Sequence, residues 1–201
     1  SMVTRTDLVT RLEQAFLGHG YERLTMTALA DAIGLTRRTL YNHFSSKEEA
    51  FRFLIESVNS AAVEAGMAAG RAALDAAQDP VDVFAVTLDT RYGHNRRRLA
   101  TSRHAVEIND QAFRRCRDLM IVSAESFHGE LAGLIGEMTA LGLLRLHDGV
   151  TPRDLAQLLA DGARGTNQSL PPVDPQGLHQ RHTAMVRAIL HGTVHPDVNH
   201  S

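Results

Sequence analysis

Gly34 stops a helical pattern after barely two turns, and a second short helical pattern begins only three residues later. Ahead of the glycine, Leu29, Ala30 and Ile33 recur at helical spacing, with Thr25 or Thr27 placed to cap the start. Behind it, Thr36 can accept from the exposed amides of a helix over 37–43 whose inward residues are Leu40 and Phe44. Ser45-Ser46-Lys47-Glu48 then reads as a capping box, with Ser45 and Glu48 exchanging bonds at the start of the next helix. Two helices joined by a glycine-containing turn of three residues describe a helix-turn-helix, and few other arrangements fit.

Upstream, Leu8, Leu12, Ala15 and Phe16 mark a helix over roughly 5–18, with Gly18 and Gly20 as its stop. Phe51, Leu54, Ile55 and Val58 give a fourth helix its buried stripe. Residues 61–78 stay helical and alanine-rich, and Gly66 and Gly70, one turn apart, permit close helix contact at some loss of propensity. Asp79-Pro80 and Thr151-Pro152-Arg153-Asp154 are helix starts, each a cap followed by proline at the first position. Between them, helical stretches are expected around 81–92, 97–109 and 112–143. A loop over 168–176 with three prolines precedes a last helix over 177–191. Alternating β-branched runs with hairpin turns do not occur, so the chain is expected to be all-α.

The 201 residues carry a formal net charge of −2, 43% hydrophobic and 22% charged residues, which is the composition of a globular protein. No run approaches the roughly 18 apolar residues of a spanning helix, and no leader-like segment opens the chain, so the expected location is cytoplasmic. Cys116 is the one cysteine, which excludes an intrachain disulfide and any multi-cysteine metal site. No nucleophile–base arrangement, phosphate loop or paired carboxylates stand at motif spacing. The reading is therefore not an enzyme, and no cofactor or metal is expected. "GARG" at 162–165 reads as a helix end.

Residues 1–60 balance seven basic against seven acidic side chains, yet 36–47 hold Arg37, Arg38 and Lys47 and no acid. At the N-terminus of a recognition helix, Arg37 and Arg38 can fork onto guanine edges, Asn42 can pair with adenine, and the Thr39 methyl can pack on thymine. Tyr41, His43 and Lys47 lie toward the flanks, where donors meet phosphates, and the helix starts at Thr27, Thr36 and Ser46 add backbone amides.

These residues support a family resemblance. "TMTALADAIGLTRRTLYNHFSSKEEAF", Thr25 to Phe51, with the upstream "AFLGHGYERL", resembles the N-terminal DNA-binding domain of the TetR family of bacterial transcriptional regulators. The matches that carry it are Phe16, Gly20, Tyr21, Thr25-Met26, Ala30, Gly34, Thr39-Leu40-Tyr41, Phe44 and Ser46-Lys47-Glu48. Arg38 departs from it, since many relatives have a small residue there. The resemblance implies a three-helix helix-turn-helix domain over 1–47 and a helical effector-binding and dimerisation domain over 48–201. It implies a homodimer joined through the last two long helices, and a repressor that occupies a palindromic operator in double-stranded DNA until a small molecule releases it. It places an effector pocket among Tyr92, His104, Phe113, Met120, Phe127 and His128. The alternative is an all-α small-molecule-binding or enzymatic protein that keeps the fold without regulating genes.

Two further features read blandly. Residues 91–117 hold eight arginines against Glu107 and Asp110, which suggests a solvated helix face. His179 and His182, three apart, lack a third ligand and read as surface histidines.

Overall fold

The computed structural model describes residues 3–196, and among them the chain is all-α. The helices are α1 Arg5–His19, α2 Met26–Ile33, α3 Arg37–His43, α4 Lys47–Asp75, α5 Pro80–Leu88, α6 His94–Leu99, α7 Ala105–Arg115, α8 Arg117–Ala140, α9 Pro152–Asn167 and α10 Leu178–Thr193. A wide π turn, Asp89–Gly93, joins α5 to α6, and a short 3-10 turn, Pro175–Gly177, precedes α10. Among the described residues, extended pairing is confined to one antiparallel bridge, Leu146 with Val194. None of the described helices is long and apolar enough to cross a membrane.

The chain divides into two compact units, one of residues 1–61 with 99–123 and one of 62–98 with 124–201. In the first, Leu12 and Phe16 of α1, Leu29 and Ile33 of α2, Leu40 of α3 and Phe51 and Leu54 of α4 form the core. Ile108, Ala112 and Cys116 from α7 and its end close the same core. Phe51 meets the rings of Phe16 at 5.2 Å and Tyr21 at 5.0 Å, both edge to face. Burial pushes the Cys116 thiol up to about 11, so the side chain acts as a small apolar filler.

In the second unit, Phe84 and Leu88 of α5, Phe127, Leu131, Ile135 and Met138 of α8, Leu155 and Leu159 of α9 and Val186 of α10 are buried together. Asp79 caps α5 through the Asp82 amide ahead of Pro80, and Thr151 and Asp154 complete a reciprocal capping box on α9.

Residues 47–75 form one 29-residue helix, in which the fourth-helix stripe runs on into the alanine-rich stretch. Gly66 and Gly70 do not break it and instead admit α5: a Cβ on Gly66 would stand 2.9 Å from the Thr87 carbonyl oxygen. Gly66→Ala is expected to destabilise the protein by about 1–3 kcal/mol through overpacking against backbone, outweighing a propensity gain below about 1 kcal/mol. A thermal melt checks it, and an unchanged or raised Tm would show that α5 yields freely.

Two breaks differ from expectation. The stretch expected over 97–109 is interrupted at 100–104, where the Ser102 hydroxyl donates to the Leu17 carbonyl at 3.1 Å and accepts from the His104 amide at 3.2 Å. The stretch over 112–143 is cut at Cys116. There Arg52 donates to the Arg115 carbonyl at 2.6 Å and grips both Asp118 carboxylate oxygens at 2.9 and 2.7 Å. That grip holds the Asp118 carboxyl down to about 2. "GARG" lies inside α9, which continues to Asn167.

Candidate nucleic-acid interface

The turn between α2 and α3 is built by backbone chemistry. Gly34 adopts φ 73° and ψ 30°, a left-handed conformation that favours glycine. The amide of Leu35 donates back to the Ala30 carbonyl at 3.0 Å, closing the end of α2. Arg11 from α1 adds a bond at 3.2 Å to the Ile33 carbonyl. Thr25, rather than Thr27, caps α2 by accepting from the Ala28 amide at 3.1 Å; Thr27 is exposed on its first turn. On α3, Thr36 accepts from the Thr39 amide at 3.1 Å, and the two hydroxyls share a 2.8 Å bond.

With its caps satisfied, α3 drives Leu40 fully inward, 0% exposed, and Phe44 follows just past its end. Arg37, Arg38, Asn42 and His43 stand exposed, Thr39 half-buried, and Tyr41 keeps 46% of its surface. The structure therefore brings Thr36, Arg37, Arg38, Thr39, Tyr41, Asn42 and His43 onto one short helix and its cap. Its outward side carries cationic and hydrogen-bonding groups, the types that meet phosphates and base edges.

Lys47 behaves differently from its neighbours. Its ammonium donates to the Tyr21 carbonyl at 2.8 Å and lies 4.1 Å from the Tyr21 ring centroid, against which Arg115 also packs at 4.6 Å. Burial lowers the Lys47 pKa. One of its three donors thus ties the start of α4 to the loop before α2. The capping box falls one residue later than expected. Ser46 accepts from the Glu49 amide at 3.2 Å, and the Glu49 carboxylate accepts from the Ser45 amide at 2.9 Å, which holds that carboxyl below its usual range.

A contact with no local signature sits beside this motif. The Glu107 carboxylate of α7 accepts from the amides of Tyr21 at 2.9 Å and Glu22 at 3.0 Å, and these bonds lower its pKa. Gln111 donates to the Glu22 carboxylate at 2.8 Å. Partners 85–89 residues apart leave no trace in helical periodicity.

The six residues expected around an effector fall into both compact units. Tyr92 and Phe127 meet edge to face at 5.9 Å in the second, where His128 follows on α8. His104, Phe113 and Met120 belong to the first: His104 faces the Glu107 carboxylate at 3.6 Å, Phe113 is 38% exposed and Met120 is half-buried.

The arginine run is not a solvated face. Arg91 is buried, Arg96 donates to the carbonyls of Asn167 at 2.6 Å and Val173 at 2.8 Å, and Arg97 forks onto Asp89 at 3.1 and 2.9 Å. Arg103, Arg114 and Arg117 do reach solvent. His182 is likewise no surface residue: it is 0% exposed and its Nδ1 lies 3.2 Å from Asp89 Oδ1. The buried carboxylate that gathers these cations is four residues before Gly93 in a wide turn, a position periodicity does not mark. Among the described residues, no three His, Cys, Asp or Glu side chains cluster as metal ligands.

A capped helix-turn-helix within an N-terminal helical unit, joined to a larger helical bundle, defines a class of protein. The family described as bacterial regulatory proteins, tetR family, matches over residues 11–52. The transcriptional regulator TcmR of Streptomyces glaucescens is 36% identical over 58 residues, 29% of this chain and 26% of TcmR. The regulator TtgR of Pseudomonas putida is 34% identical over 56 residues, 28% and 27% of the two chains. The chain thus spans about a quarter of the length of these curated relatives in what it matches. SmeT, the repressor of the Stenotrophomonas maltophilia multidrug efflux pump SmeDEF, superposes with a TM-score of 0.67 at 20% identity, over 98% of this chain and 93% of SmeT. A TetR/AcrR-family regulator from Thermobifida fusca gives 0.65 at 21% identity, over 94% and 97%. Residues 11–52 are thus similar to the N-terminal domain of that family, and the fold is similar to that of solved regulators such as SmeT.

Proposed function

We propose that this protein is a sequence-specific, DNA-binding transcriptional regulator: a homodimeric repressor that a small-molecule effector releases from its operator. The observation that carries the reading is the outward side of α3, where Arg37, Arg38, Tyr41, Asn42 and His43 are exposed above the buried Leu40. A helix of two turns reads few base pairs, so two copies about 34–36 Å apart on a palindrome supply the specificity one lacks. Leu158 of α9 is 46% exposed, and Ala184 and Ala188 of α10 are exposed too, apolar side chains available for pairing these helices across a dimer. The functional division places DNA reading in 1–47 and effector binding and dimerisation in 48–201. SmeT's description as a repressor supports repression as the mode. Release by an effector requires that it bind the two dimer conformations with different affinity.

Selection of bound sequences from a random duplex library, with Arg37→Ala/Arg38→Ala in parallel, tests the reading. Recovery of a palindrome is expected, and each arginine forked onto a guanine is worth about 1–3 kcal/mol of discrimination. A library that enriches nothing at low salt, or a double mutant that selects the same palindrome, overturns it.

A further inference from the structure

The loop that leads into α2 is held by a helix far along the chain. At its start Gly20 adopts φ 80°, and having no side chain it lets others lie against the backbone: a Cβ there would stand 2.5 Å from Glu107 Oε2 and 3.0 Å from His104 Nδ1. The other carboxylate oxygen, Glu107 Oε1, accepts from two successive amides, Tyr21 at 2.9 Å and Glu22 at 3.0 Å. Tyr21 is gripped at its far end too, since its carbonyl accepts from the Lys47 ammonium at 2.8 Å, and its ring, 2% exposed, stacks on Phe16 at 5.9 Å. Further along α7, Gln111 donates to the Glu22 carboxylate at 2.8 Å and accepts from Arg115 Nε at 2.8 Å, while the Arg115 guanidinium lies over the Tyr21 ring. Glu107, Gln111 and Arg115 follow one another at steps of four, so one face of α7 carries all three. The apolar packing of that helix is supplied by Ile108 and Ala112. What Glu107, with 34% of its side chain exposed, adds is direction, because hydrogen bonds fix angle as well as distance. Thr25, the cap of α2, follows Glu22 by three residues, and α2 and α3 are too short to hold an orientation by themselves.

We propose that Glu107 is a positioning residue for DNA recognition: its carboxylate, reaching the Tyr21 and Glu22 amides, fixes the loop from which α2 and the exposed side of α3 take their orientation. The assignment rests on the DNA-reading role above. What counts is an acceptor of the right reach. Negative charge as such is no help at this place, since it repels a phosphate backbone.

The test titrates the full chain, unmutated and as Glu107→Gln, Glu107→Asp and Glu107→Ala, onto the palindrome recovered by selection and onto a scrambled duplex of equal length. Glu107→Gln keeps the reach and an accepting oxygen, and it is expected to bind the palindrome within about threefold of the unmutated chain. Glu107→Asp, one methylene shorter, and Glu107→Ala are expected to lose roughly tenfold on the palindrome, the margin of one charge-assisted hydrogen bond. Their affinity for the scrambled duplex and the slope of affinity against salt should stay as they were, because no phosphate contact is removed. A merely structural loss would lower both duplexes together. An unchanged ratio of palindrome to scrambled affinity in Glu107→Asp and Glu107→Ala overturns the proposal, as does Glu107→Gln binding as weakly as Glu107→Ala. Amide hydrogen exchange in the unmutated chain needs no variant to fold: Tyr21 and Glu22 are expected to exchange slowly, and exchange as fast as that of an open loop overturns the proposal too. A palindrome that all four proteins bind alike sinks the positioning role alone, whereas an unmutated chain that enriches no duplex sinks the regulator and the role with it.

Discussion

Phe51→Ala is expected to destabilise the N-terminal unit by about 3–5 kcal/mol, the range for emptying a fully buried aromatic site. Phe51 is 0% exposed and stands between Phe16 and Tyr21, so truncation leaves a cavity bordered by rings that α1 and the following loop hold in place. Leu40 belongs to the same buried cluster, which makes α3 a dependent of that packing. The seven residues of α3 are too few to persist as an isolated helix, so DNA affinity should fall together with stability. Urea unfolding followed by circular dichroism checks the first effect, read as a lower midpoint at constant slope. A loss below about 1 kcal/mol would mean that the surrounding rings collapse into the space and that the cluster is looser than its burial indicates. Phe51→Leu, which keeps most of the volume, should cost about 1–1.5 kcal/mol.

Asp89→Ala carries the second large effect, about 3 kcal/mol, because deleting one partner of a buried ionic cluster leaves the others uncompensated. Arg97 would lose both of its bonds, and the fully buried His182 would lose the acceptor at its Nδ1, while His179 lies 3.5 Å from the same carboxylate. Burial alone would raise the Asp89 pKa; hydrogen bonds from His182 and Arg97 overcome it and hold the carboxyl far below its ordinary value. A carboxylate depressed in the folded state contributes stability that is present above its unfolded pKa of about 3.9 and is lost as the pH falls below that. The unmutated protein should therefore weaken steeply on acidification below about pH 4, and the variant, already lacking this contribution, should show a shallower acid limb. Tm measured from neutral to acid pH decides it, and parallel acid limbs for the two proteins would remove Asp89 from the account.

The motif was legible because its determinants are local. Gly34, Thr36 and the Leu40–Phe44 spacing act within a few residues, so α3 falls on 37–43 as expected and α2 begins one residue before 27. The capping box missed by one position because Ser45 and Ser46 offer equivalent hydroxyls and Glu48 and Glu49 equivalent carboxylates, and only packing chooses between neighbours. Arg52, Glu107 and Asp89 were invisible for the opposite reason. Each acts on groups 8 to 93 residues away, and a charged side chain bound for a distant carbonyl looks in sequence like one bound for solvent. The run from Arg91 to Arg117 shows this best: a count of eight positive charges said nothing about which would be buried.

The N-terminal core is completed by Ile108, Ala112 and Cys116, residues that leave the ribosome well after Phe44, the last core side chain of the helix-turn-helix. In vectorial synthesis the first 61 residues emerge with their apolar surface only partly covered, and they wait for residues 62–98 to pass before the missing wall arrives. The helix-turn-helix of a nascent or truncated chain is thus unfinished. Loop-closure entropy for an intervening segment of this length grows only logarithmically, so the delay is a matter of order in time more than of final stability.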